Sequence, residues 1–333
     1  MDLTTKYLGL TLAHPFISGA SPLTGDLDMV KRLEDGGSAA IVLPSIFEEQ
    51  VTIAESGRIH SMDPLDSEFA LLLSEFALND QLLRGPNQYL EHIRLAKRAV
   101  RIPVIASLNG ITGGSWLKYA FEVEQAGADA IELNLDEAAI DPRDSSLAVE
   151  ARIRNAVAEL KRELRIPLAI KLTPYFTAFA NLAHQLDDAG ANGLVLFHRF
   201  SHPDLELDGL KLVTRHTLSQ SPELLLRLHW VAVLRSHVAA SLAITGGVAT
   251  ATDGIKALLV GADAVQMTSA IFRNGPHCFD VMSQGLSRWA EEKGFRSIDD
   301  LRGRMSLQHT AEPTLYERAN YIRTLQTPPP KET

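Results

Sequence analysis

Three times in this chain a helical stretch ends on Gly-Ala and runs directly into a short apolar segment. Gly127-Ala128 precedes Ala130–Leu135, Gly190-Ala191 precedes Gly193–Phe197, and Gly261-Ala262 precedes Ala264–Met267. A glycine at that point lets a helix close on a left-handed residue. The apolar run that follows has strand length, and it shows no polar alternation. Repeated helix-then-apolar-strand order indicates parallel strands covered by helices on their outer side. Five further strands fit the same scheme, at residues 14–18, 39–43, 103–108, 167–172 and 240–244. Eight strand–helix units predict an α/β fold, a (β/α)8 TIM barrel, whose usual size is about 250 residues. A doubly wound open sheet is the alternative. No GxGxxG follows the first strand, which counts against it.

The remaining segments read as additions to that barrel. Leu3–Leu12 alternates loosely around Gly9 and predicts an N-terminal hairpin closing the barrel bottom. Glu48–Gln81 and Ser201–Ser221 interrupt the rhythm as two loop insertions, the first containing an apolar helix at Phe69–Leu78. Insertions of that length are usually lids, binding loops or subunit contacts. Residues 1–310 read as one domain with no linker, and 311–333 as a C-terminal tail ending in an extended TPPPKET.

Composition excludes several classes. The formal net charge of −9 is the wrong sign for general nucleic-acid binding. The single cysteine, Cys278, allows no disulfide framework and no cysteine metal cluster. No apolar run reaches the roughly 18 residues that a membrane helix needs. The N-terminus lacks a basic-then-apolar leader pattern. A cytoplasmic protein without a metal site follows as the expectation.

In such a barrel the C-terminal ends of the strands share one mouth. The loops after the last two strands commonly hold a phosphate there. Here those loops carry Thr245-Gly246-Gly247 and Thr268-Ser269, with Thr250 and Thr252 able to cap the helix between them. Backbone N–H groups at Gly246, Gly247, Thr268 and Ser269 would cradle the anion. A bare tight turn is the plainer reading of Gly-Gly. Lys171 sits inside the apolar run LAIKL, where an ammonium needs a partner. That partner is either a ligand or a carboxylate. Glu132 and Asn134 share one side of their strand by the period of two. Glu132 could therefore pair with a lysine in the barrel interior. His198, at the end of the sixth strand, has a titration range suited to proton transfer. Asp136-Glu137 could supply a carboxylate base. Cys278 opens a helix away from the strand ends and reads as a core or surface thiol rather than a nucleophile. No HExxH, GxSxG or Walker motif occurs.

Taken together, HPFISGAS, IELNL, LAIKLTPYF, ITGGVATATDGIKALLVGADAVQMTSAIFRNGP and EEKGFRSIDDLRGRM resemble the dihydroorotate dehydrogenases over nearly the whole chain. The similarity is to the soluble class 1 enzymes. The resemblance implies an FMN-containing barrel that oxidises dihydroorotate to orotate in pyrimidine biosynthesis. It implies that Gly246, Gly247, Thr268 and Ser269 hold the FMN phosphate. Lys171 would meet the flavin ring, where its positive charge favours the reduced form. Asn134 corresponds to the family's strand-four asparagine, and Gly19, Ala20 and Ser21 to the small residues beside the isoalloxazine. The resemblance also suggests a homodimer built by the two insertions.

The departures fall on the substrate side. Where the family has a Ser-Cys-Pro-Asn loop, this chain reads Leu135-Asp136-Glu137-Ala138-Ala139. No cysteine stands in a mouth loop, so Glu137 and His198 are the candidate catalytic bases. Pro44 replaces an expected lysine, and Phe197-His198 an expected asparagine. The sequence is therefore most similar to the dihydroorotate dehydrogenase-like branch that lacks the usual base. Three readings remain open: a flavin oxidoreductase acting on dihydroorotate or a related small substrate with an unidentified electron acceptor; a flavin-binding sensor or partner subunit without turnover; and a flavin-free barrel for a sugar phosphate.

Overall fold

The start of the chain folds underneath everything else. Thr5–Tyr7 (β1) and Leu10–Leu12 (β2) pair antiparallel, with Thr5 opposite Leu12. Both turn residues, Leu8 and Gly9, have positive φ (55° and 76°), the twist that two-residue hairpins favour. Tyr7, Leu8 and Leu12 are buried among Ala130, Ala169, Ala243 and Ala264, small residues that leave the barrel interior open to the plug. An added Cβ at Gly193 would run into the Leu8 side chain. The bottom-closing hairpin expected from the sequence is present.

The computed structural model describes residues 1–51, 85–110, 115–135, 139–198, 204–213 and 217–327. Above the hairpin stand Phe16–Ser18 (β3), Ile41–Phe47 (β4), Val104–Asn109 (β5), Ala130–Asn134 (β6), Leu168–Leu172 (β7) and Gly193–Leu196 (β8). An exposed antiparallel hairpin follows, Asp204–Glu206 (β9) and Lys211–Val213 (β10), and then Ser241–Thr245 (β11) and Ala264–Met267 (β12). β3 to β8, β11 and β12 form one closed barrel of parallel strands, each beside its predecessor, with β12 closing onto β3. Every residue of β6 and β7 is buried, as expected of strands covered on both faces.

The helices around the barrel are Leu27–Asp35 (α1), Pro86–Ala99 (α2), Ser115–Gln125 (α3), Ser146–Glu163 (α4), Phe179–Asp188 (α5) and Leu224–Leu234 (α6). Then come Ala251–Val260 (α7), Ser269–Asn274 (α8), Cys278–Glu292 (α9), Ile298–Leu301 (α10) and Pro313–Gln326 (α11). Gly127, Gly190 and Gly261 all have positive φ at the helix ends that feed β6, β8 and β12, which is the conformation the Gly-Ala steps predicted. α7 is capped by Thr250, whose side chain accepts from the Asp253 N–H, while Thr252 lies inside the helix. No described helix is long and apolar enough to cross a membrane.

Three expectations shift in detail. β4 does not stop at Pro44-Ser45 but runs on to Phe47, with a register irregularity between Val42 and Ser45. The Ser201–Ser221 insertion carries the β9–β10 hairpin, with Leu205 and Leu212 opposite one another and both exposed. Within the C-terminal segment 311–333, Pro313–Gln326 is helical (α11) rather than extended. The apolar helix expected at Phe69–Leu78 lies outside the described residues.

Candidate active site

The strand ends converge on a pocket of about 270 Å³. One wall is the phosphate-type turn. Gly246, Thr268 and Ser269 line it. Gly246 and Gly247 have φ of +84° and +76°, which turns the backbone where a side chain would be strained. Gly247 does not offer its N–H to the pocket: it donates to Ser219 Oγ at 3.1 Å. Ser219 Oγ in turn donates to Ser269 Oγ at 3.0 Å, and the Ser219 N–H donates to the same oxygen at 2.9 Å. Ser219 therefore ties the two predicted phosphate loops together and itself lines the pocket.

Behind this turn lies a buried cation. Arg227 on α6 is 6% exposed. Its Nε donates to the Thr245 carbonyl, its Nη1 to the Glu223 carbonyl at 2.6 Å, and its Nη2 to the Phe197 carbonyl at 3.3 Å. One guanidinium thus braces the ends of β8 and β11 and the start of α6, using the fork geometry that lysine lacks.

The opposite wall is β6 and β7. Asn134 and Lys171 are register partners across that ladder and both line the pocket. Lys171 Nζ lies 3.2 Å from Glu132 Oε1. The two readings of this lysine coincide, since it is paired with a carboxylate below and presented to the pocket above. Glu132 Oε2 accepts a hydrogen bond from Gln266 Nε2. Asn134 Oδ1 and Gln266 Oε1 are buried and have no hydrogen-bond partner among the described residues. Such oxygens are costly unless a ligand or water satisfies them.

The other expected residues are placed as follows. Ala20 lines the pocket, flanked by Gly19 and Ser21. At Gly19 a Cβ would come 2.8 Å from Thr268 Oγ1, so glycine lets β3 approach the β12 loop. Ser21 is buried and Thr24 bonds back to its carbonyl. His198 lines the pocket and its backbone N–H donates to the Leu172 carbonyl at 3.1 Å. Glu137 lies outside the described residues. Cys278 is 6% exposed at the start of α9, and burial pushes its thiol up to about 11.

Sequence reasoning placed Ser45 at a strand end facing the mouth, but it missed Ser219, Gln266 and Arg227. Ser45 Oγ lies 2.7 Å from Ser107 Oγ on the β4–β5 wall and borders the pocket. Gln266 could have been found by the argument applied to Lys171, because it is a long polar side chain within a fully apolar strand. Arg227 carries a similar signal within LLLRLHW. Ser219 sits in an irregular loop and carries none.

The family model described as "Dihydroorotate dehydrogenase" matches residues 3–289. A Thermoplasma volcanium protein named dihydroorotate dehydrogenase B (NAD(+)), catalytic subunit, is 25% identical over 309 residues, covering 91% of this chain and 98% of that protein. A similarly named protein of Methanothermobacter thermautotrophicus is 25% identical over 317 residues, or 90% and 97% of the two chains. The Escherichia coli protein named NAD-dependent dihydropyrimidine dehydrogenase subunit PreA is 25% identical over 322 residues, 91% of this chain and 76% of that one. With its closed parallel barrel and with that match running from the β1 side of the molecule into α9, the chain belongs to the dihydroorotate dehydrogenase family of oxidoreductases.

Proposed function

We propose that the barrel mouth binds FMN and serves an oxidoreduction of dihydroorotate or a related small cyclic substrate. The observation that carries this reading is the composition of one pocket. It joins a glycine turn backed by Arg227, the paired ammonium of Lys171, and an unsatisfied Asn134 Oδ1. These groups fit a flavin mononucleotide. The Gly246 turn with Thr268 and Ser269 suits its phosphate. Lys171 and Asn134 offer a cation and an amide to the polar edge of its ring, and Ala20 leaves room for a flat face.

FMN, when bound, supplies the hydride acceptor or donor. The chain's own residues would orient the substrate and move the proton, for which Glu137 and His198 are the candidates. The active form is proposed as a cytoplasmic homodimer of single-domain subunits, with the exposed β9–β10 leucines contributing to the contact. All three relatives named above carry names that describe them as subunits. That is the basis for including a separate electron-transfer partner in the proposal, with its acceptor unidentified.

A second reading, flavin binding without dihydroorotate turnover, is favoured by a specific observation. Pro44 and Ala139 stand where the family carries polar substrate contacts, and the lone thiol, Cys278, is buried at the start of α9. One experiment separates the readings: the visible spectrum of the purified protein, taken anaerobically before and after adding dihydroorotate. A flavin band that bleaches establishes dihydroorotate as a reductant. A band that persists keeps the cofactor site and removes dihydroorotate. No band, even after incubation with FMN, overturns the flavin reading in favour of a flavin-free site.

A further inference from the structure

We infer that Glu132, held by Gln266, is a counter-charge that sets how much of Lys171's positive charge reaches a flavin in the mouth, and so sets its reduction potential. The inference rests on the FMN reading above. Its geometry does not depend on that reading. Glu132 and Gln266 are each 1% exposed; Gln266 borders the pocket, and Glu132 lies behind it. Lys171, at 9%, is the member of the group nearest the mouth.

Each Glu132 oxygen has a different partner. Oε1 faces the Lys171 ammonium at 3.2 Å, and Oε2 takes the Gln266 amide N–H. The carboxylate is thereby fixed in place by side chains from two barrel strands, β7 beside its own strand β6 and β12 across the barrel from it. Below it, the Tyr7 hydroxyl of the plug hairpin is fully buried, and burial pushes its titration well above the ordinary phenol range, with Glu132's charge adding to the effect. Tyr7 is therefore a neutral group, and the described neighbours leave Glu132 as the anion facing Lys171.

An ion pair in a buried site screens its own field only partly, since the nearer charge dominates. Lys171 is that nearer charge, so a ring above it feels a net positive field reduced by Glu132. Reduction places negative charge on a flavin ring. Lys171 favours that change, and Glu132 opposes it. The pair thus fixes an intermediate potential, which neither charge alone would give.

Glu132→Gln tests this directly. The neutral isostere keeps an oxygen for Lys171, and its new amide can donate to Gln266, whose Oε1 is unoccupied by any described partner. The measurement is the midpoint potential of protein-bound FMN by anaerobic dye equilibration on the full-length chain. Glu132→Gln is expected to favour the reduced form by about tenfold or more, a positive shift of about 30 mV or more for a two-electron couple. Lys171→Gln is expected to move it in the opposite direction. Should Glu132→Gln fold poorly, Gln266→Met serves instead. It strips the amide donor from Glu132, leaves more of the carboxylate's negative charge uncompensated, and is expected to shift the potential negatively.

Bound FMN with the same potential in wild type and Glu132→Gln overturns the inference and leaves the cofactor reading intact. A wild-type protein that takes up no FMN overturns the cofactor reading, and the inference falls with it. A shift of the wrong sign in either variant also overturns the inference.

Discussion

Arg227 lies so close behind Gly246 that a Cβ on the glycine would sit 2.8 Å from its Nη2. The turn and the guanidinium were shaped for one another. The left-handed φ of +84° holds the backbone in place, and the buried cation holds the Thr245 carbonyl from the other side.

Gly246→Ala is therefore penalised twice. The left-handed backbone costs a substituted residue roughly 1–2 kcal/mol, and the methyl also displaces Arg227. Thermal unfolding should fall, and FMN titration should weaken together with it. A variant with wild-type melting and wild-type FMN affinity would remove the turn from the cofactor site.

Arg227→Met leaves three backbone carbonyls without their donor. Hydrogen bonds from a charged group are worth about 1.5–3 kcal/mol each, so a loss of at least about 2 kcal/mol in urea unfolding is expected. Arg227→Lys should recover only part of it, because one ammonium cannot reach three carbonyls in a fixed fork. Full rescue by lysine would show that charge alone suffices.

Asp253 gives a pH signature. Burial works to raise its carboxyl, but hydrogen bonds from Ser221, Ala249 and Thr250 outweigh burial and hold it below the usual range. A carboxylate depressed in the folded state contributes stability that is present above its unfolded value and lost as pH falls through the folded one. Wild type should lose urea resistance as pH falls through and then below the ordinary carboxylate range. Asp253→Asn should show a flatter profile and lie about 1 kcal/mol lower at neutral pH, as for a lost helix cap. Parallel curves for the two proteins would contradict this.

Cys278 should be inert. With its thiol near 11 rather than 9.0, native protein carries about a hundredfold less thiolate than an ordinary cysteine, and the thiolate is the reactive form. Iodoacetamide at pH 8 should modify it at once in urea and hardly at all in the native protein. Rapid native labelling would place the thiol in solvent contact.

Glu137→Gln should abolish reduction of bound flavin by substrate while FMN stays in place, if Glu137 is the base. Retained reduction removes Glu137 from the mechanism and transfers the assignment to His198, for which His198→Asn is the corresponding test.

The barrel was legible because its strands are apolar without alternation and its helices end on glycine. Lys171 was legible because an ammonium within LAIKL must be explained. Gln266 obeys the same logic but is neutral, so it carries less alarm. Ser219 was not legible, since its importance comes from two loops meeting in space. α11 was missed for a different reason. Its residues Leu315, Tyr316, Tyr321, Ile322 and Leu325 are all exposed, so the helix shows no buried stripe for periodicity to reveal.

The first barrel strand is held mainly by the last. Phe16, Ile17 and Ser18 pair with Val265, Gln266 and Met267, whereas Ser18 with Ile41 is the single register pair joining β3 to β4. The same end of the chain is tied down by the Thr5 hydroxyl on the Asp263 carbonyl and by Arg302 on Thr5. Contacts so distant in sequence form late, because the whole intervening chain must be ordered first. On the ribosome, the opening hairpin must therefore wait undocked, and β3 without its β12 partner, until nearly the whole barrel has been synthesised. They are the segment a chaperone would have most reason to hold.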